Sequence, residues 1–135
     1  MVPAGTRRVL KPFLFDEFCP FITVFDLMEA KTLTRDEFIA HLIAVDTGIR
    51  SDDASQSREF LEIEFPHLTC TVCIPDYEND TSIKHVLATE NPTGFTRGEL
   101  LYQIAQILPD QEWGDHIYFE GLTLSRNVYW LRLGS

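Results

Sequence analysis

The stretch Thr96-Arg97-Gly98-Glu99-Leu100-Leu101-Tyr102-Gln103-Ile104-Ala105-Gln106-Ile107-Leu108-Pro109, together with the aromatic residues at 116–133, decides the fold class. Thr96 stands where a helix N-cap belongs, and Glu99 three residues on completes the pattern of a capping box. Leu100, Leu101, Ile104, Ala105, Ile107 and Leu108 recur at helical spacing and leave Tyr102, Gln103 and Gln106 for the other side. Pro109 ends the helix because it has no N–H for the next backbone bond. Beyond it, His116-Ile117-Tyr118-Phe119-Glu120 and Val128-Tyr129-Trp130-Leu131-Arg132-Leu133 have the aromatic and branched composition of paired strands. A helix with an apolar face needs a surface to cover, and a hairpin supplies one.

Upstream, Thr34-Arg35-Asp36-Glu37 is a second capping box. It predicts a helix over 34–46 with Phe38, Ile39, Leu42, Ile43 and Val45 buried and Gly48 as its left-handed C-terminal cap. The two helix starts are similar in sequence, and shared capping physics accounts for that without an internal duplication. Between the helices, 60–65 alternates, with Leu61, Ile63 and Phe65 on one face and Glu62 and Glu64 on the other, as in a half-buried strand. Residues 68–74 put Leu68, Cys70, Val72 and Ile74 on one face. An acidic turn follows at 76–82, and 83–87 reads equally as a short strand or a helix. Near the N-terminus, 21–25 reads as a strand and 1–12 as a mobile arm. The whole is α+β, an antiparallel sheet of about four to five strands with two capped helices packed on one face, in a single domain over 1–135.

With 135 residues, 44% hydrophobic and 12% aromatic, the chain can bury one real core and is not mainly disordered. A formal net charge of −10 disfavours nucleic acid and anionic membranes as partners and favours basic ones. Arg7, Arg8 and Lys11 precede Phe13-Leu14-Phe15, but Asp16 and Glu17 interrupt the apolar run, so no export signal is read. Three cysteines are then simplest as reduced thiols in a cytoplasmic or nuclear protein.

Residues 60–133 resemble an uncharacterised domain common in fungal proteins. The resemblance is carried by Leu61-Glu62-Ile63-Glu64-Phe65-Pro66-His67-Leu68, by Gly94-Phe95-Thr96 leading into Leu100-Leu101, by Asp115-His116-Ile117-Tyr118-Phe119-Glu120-Gly121-Leu122, and by Trp130-Leu131-Arg132-Leu133. It implies two strands, a capped helix and a closing hairpin. It implies no activity and no catalytic residues.

Three constellations carry possible chemistry. His67, Cys70 and Cys73 are zinc-ligand types, but a strand over 68–74 sends Cys70 and Cys73 to opposite faces, so no metal site is expected. Asp76, Glu78 and Asp80 resemble the start of a calcium loop that lacks its glycine and its final acid. Asp115 and Glu120 beside His116 form the best catalytic set, a carboxylate orienting an imidazole as general base for a small hydrolase or lyase. No nucleophile elbow, phosphate loop or dinucleotide motif is present, and no cofactor is expected. The leading expectation is a non-catalytic interaction or structural domain whose partner is another protein, possibly basic, or a second copy. An acidic decoy of a basic-site protein is the alternative. Phe13, Phe15, Phe18, Trp113 and Tyr129 are the aromatic residues expected to contact a partner. Trp113 lies in a turn, where an indole is either folded back as a plug or offered as an anchor.

Overall fold

The computed structural model describes residues 10–15, 22–47 and 59–134, with 45–47 as backbone alone. In chain order the elements are β1 (Phe13–Leu14), α1 (Val24–Met28) running into a tight turn at Glu29–Lys31, α2 (Arg35–Thr47), β2 (Ile63–Phe65), β3 (Thr69–Asp76), β4 (Thr81–Ala88), β5 (Phe95–Thr96), α3 (Arg97–Gln106), β6 (Tyr118–Ser125) and β7 (Val128–Gly134). The fold is α+β. A five-stranded sheet has the order β1-β6-β7-β3-β4, and β2 pairs with β5 in a small second sheet. All pairs are antiparallel except β3–β7, which runs parallel with Val72 beside Tyr129. The antiparallel expectation is corrected there, because the long path through β4, β5 and α3 brings the chain back to the far side of β3.

The helices begin as their sequences direct. In α2, Thr34 N donates to Glu37 Oε1 at 2.9 Å and Glu37 N donates to Thr34 Oγ1 at 3.2 Å, a closed capping box. In α3 only half the box forms. Glu99 N donates to Thr96 Oγ1 at 3.1 Å, but the Glu99 carboxylate is drawn away by the Thr89 hydroxyl at 2.6 Å and by Gln103 Nε2 at 3.2 Å. The helical turns end at Gln106, ahead of the residue that Pro109 bars from helical geometry. Residues 22–28 form no strand, against expectation. Thr23 caps α1 through a reciprocal box with Asp26, and aromatic density does not outweigh that local bonding. The expected cap at Gly48 and Phe21 itself lie outside the described residues.

One core joins the helices to one face of the large sheet. Leu27, Phe38, Leu42, Leu100, Leu101 and Ile104 pack with Val72, Ile74, Phe119, Leu122 and Tyr129. Phe119 and Leu122 face the same side although three positions apart, because the β6–β7 register shifts between them. Gly121 sits in this bulge at φ 93°, where a Cβ would overlap the Leu14 carbonyl oxygen.

The last residues of the expected N-terminal arm, 10–12, are tied to the fold. Leu10 packs on the core, Lys11 bonds to Glu64, and Pro12 accepts a bond from Leu124 N at 2.8 Å. The alternation expected over 60–65 holds for Glu62, exposed, and Phe65, buried, and fails at Leu61 and Glu64. Leu61 is 68% exposed, whereas Glu64 is 3% exposed, its carboxylate accepting from Lys11 Nζ at 3.1 Å, Phe15 N at 3.1 Å and Arg97 Nε at 3.0 Å.

Candidate functional site

The starts of α2 and α3 lie beside the C-terminal end of β4, and between them opens a cleft of about 590 Å³. Ile39, Phe60 and Leu61 form its apolar wall. Asp36, Glu90 and Glu99 supply three carboxylates, with Arg35 as the one cation among its lining residues. A hollow of about 300 Å³ adjoins it, sharing Arg35, Asp36 and Glu99 and adding Tyr102 and Gln103.

The rim of the cleft is held by its own bonds. Asn91 N donates to Thr89 Oγ1 at 3.1 Å, and Asn91 Oδ1 accepts from Thr93 N at 3.1 Å and Thr93 Oγ1 at 2.8 Å. Gly94 closes this turn at φ 114°, pressed against the Phe65–Pro66 backbone so closely that no side chain fits. The Thr89 hydroxyl donates to Glu99, whose second oxygen accepts from Gln103. Among the lining residues there is no His, Cys or Lys, and the two threonines are committed to the fold, Thr89 donating to Glu99 Oε1 and Thr96 accepting from Glu99 N. The chemistry on offer is recognition of a cation carried on an apolar stem, with carboxylates as the charged acceptors.

The structure distributes the sequence candidates elsewhere. Asp115 and His116 are exposed in the connection before β6, and Glu120 is exposed on β6. No hydrogen bond or ion pair joins these three among the described residues, so no catalytic pairing is assembled. Cys70 is buried in the core, and Cys73 is buried on the opposite face of β3 beside Trp130. His67 packs its ring on Phe65 at 4.8 Å. Among the described residues no three His, Cys, Asp or Glu side chains gather as a metal site. Burial pushes the Cys70 thiol up to about 12, which leaves it protonated and unreactive at neutral pH.

Three of the five aromatic residues expected at a partner surface, Phe15, Trp113 and Tyr129, are buried in the core. Phe15 meets Phe119 edge-on with ring centroids 5.5 Å apart, and Tyr129 meets Phe65 at 5.4 Å. Trp113 is 4% exposed and stacks edge-on with Tyr77 at 5.8 Å, so it is a plug under the β3–β4 turn. Rings inside the core cannot reach a partner while the fold is intact. Phe13 remains on the surface, and Phe18 lies outside the described residues.

Sequence reasoning missed the cleft, because its walls come from four separated segments. The chain matches no family model, no curated protein and no solved structure.

Proposed function

We propose that this chain is a non-catalytic protein-interaction domain whose partner is a basic protein. The observation that carries this reading is the cleft at the starts of α2 and α3. Its three carboxylates surround an apolar wall, on a chain of net charge −10. A Lys or Arg side chain fits such a site because its methylene stem covers Ile39 and Leu61 while its charge meets Asp36 and Glu90. The overall negative field steers a basic partner toward the cleft and speeds encounter.

The test is capture with tagged protein in which Asp36 and Glu90 are both changed to Lys. These side chains make none of the bonds that hold the rim, so the fold is retained. Wild type should recover a basic protein, and the doubly reversed variant should lose it by about tenfold or more. Equal recovery by both proteins, or recovery only of proteins without a basic surface, would refute the reading. Phosphate-rich partners such as nucleic acid and anionic membranes are disfavoured by the same field.

A further inference from the structure

We propose that the free edge of β4 docks an extended strand of that partner, a strand apolar at its centre and basic at both ends. This inference rests on the reading above and names the mode of binding.

Among the described residues, β4 is the last strand of the large sheet and pairs only with β3. The bond from Thr89 N to Leu68 O at 3.0 Å continues the β3–β4 register and fixes which groups face which way. In an antiparallel ladder, residues alternate between bonding to their neighbour and pointing away from it. Thr81, Ile83, His85 and Leu87 therefore bond to β3, while Ser82, Lys84, Val86 and Ala88 turn their N–H and C=O groups outward. Gln103 Nε2 donates to Ala88 O at 2.9 Å, as that parity requires. Ser82, Lys84 and Val86 have no backbone partner on the outward side among the described residues. They offer three donors and three acceptors in line, the template an added strand uses.

The side chains define the guest. Ile83 is 44% exposed on one face of β4 and Val86 is 67% exposed on the other, so a paired strand with apolar residues at its centre covers both. Beyond one end of the free edge stand Glu78 and Asp80, exposed in the hairpin turn. Beyond the other stands Glu90, on the rim of the acidic cleft. A strand with Lys or Arg at both ends meets carboxylates at each, and one terminal cation reaches the cleft.

A second copy fits poorly. Two-fold pairing through the outward groups centres on Lys84, His85 or Val86. The first sets Lys84 against its own counterpart. The second sets Asp80 opposite Glu90 twice. The third needs the Ala88 carbonyl that Gln103 already occupies. Lys84 also repels a guest with a basic centre, which restricts the guest's cations to its ends.

The probe is a synthetic peptide of about ten residues, Val and Thr alternating in the centre with paired Lys at each end. It is added to isotope-labelled full-length protein, and amide hydrogen exchange is read by NMR. The amides of Ser82, Lys84 and Val86 should slow by about tenfold or more, while those of Ile83 and His85, already bonded to β3, should not change. Lys84→Pro removes one outward donor and no β3 bond, so the sheet is retained and peptide affinity should fall about tenfold. If that variant fails to fold, a peptide N-methylated at alternate residues replaces it and should not bind. Protection away from β4, or undiminished binding by either control, overturns the inference. So does protection of these amides by concentration-dependent dimerisation without peptide. If the edge stays unprotected while the Asp36/Glu90 reversal still abolishes capture of a basic protein, only the docking mode falls. If capture is also unaffected, the functional reading falls with it.

Discussion

Glu64 is the residue on which separate parts of the chain converge. A buried carboxylate is costly unless its lone pairs are filled, and here Lys11, Phe15 N and Arg97 fill them. The bond to Phe15 N also holds a non-glycine residue at φ 59°, a left-handed conformation that costs about 1 kcal/mol by itself. Glu64→Ala removes the carboxylate that Lys11, Phe15 N and Arg97 share and leaves the Arg97 and Lys11 charges without it. We expect a loss of about 3 kcal/mol, measured as a lower urea midpoint with unchanged slope. Tyr129 lies in the same cluster, its hydroxyl donating to Lys11 O at 2.7 Å. Burial, then the neighbouring Cys70 and Glu64, push its phenol up to about 12. Both Cys70 and Tyr129 thus keep their protons in the fold where the unfolded chain, with ordinary values of 9.0 and 10.0, would release them. Stability is undiminished below pH 9 and falls as pH rises toward 12. Urea midpoints taken between neutral and strongly alkaline pH should decline, and Tyr129→Phe should make that decline shallower. An unchanged slope with pH in the variant would remove Tyr129 from the account.

At the scale of elements, the hairpin of β6 and β7 turns through two residues, Arg126 at φ 55° and Asn127 at φ 65°. Both positive angles define the mirror-image turn whose twist matches the strands, and Gly is favoured at its second position. Asn127→Gly should raise stability by about 0.5 kcal/mol, read as a higher thermal midpoint. Gly121→Ala should do the reverse by about 2 kcal/mol or more, since the Leu14 backbone blocks the added methyl and cannot move without unpairing β1. The elements legible in the sequence were those whose causes are local. The caps at Thr34 and Thr96, the core face of β3 at Cys70, Val72 and Ile74, and the β6–β7 hairpin all follow from patterns within a few residues. The burial of Glu64 in β2 has no local signal, because the partners that permit it, Lys11 and Arg97, lie 53 and 33 residues away. α1 carried a readable signal, Thr23 followed by Asp26, which the surrounding phenylalanines obscured. The cleft had no signal of its own, since Asp36, Leu61, Glu90 and Glu99 become neighbours only when β4 is laid beside the helices.

For the molecule as a whole, the two ends of the chain are fastened to one another through the middle. Phe13 pairs with Thr123, Tyr129 reaches Lys11 O, Lys11 reaches Glu64, and β7 runs parallel to β3. Such non-local pairings must close long loops before they are rewarded, so folding is expected on the millisecond-to-second scale of sheet-rich domains. They also make the short segment 10–12 a structural strap, although no helix or strand contains it. Its worth is measured as a difference between two chains, one starting at Leu10 and one at Phe13. The shorter chain loses the Lys11–Glu64 bonds, the acceptor for the Tyr129 hydroxyl, the Pro12 carbonyl that Leu124 N uses, and the Leu10 side chain on the core. Two neutral bonds at about 1 kcal/mol each and one partly exposed ion pair to a buried carboxylate add to about 3 kcal/mol. Equilibrium urea unfolding of the two chains should differ by that amount. A difference below about 0.5 kcal/mol would mean that solvent replaces the strap and that β1 alone ties the N-terminal segment to the sheet.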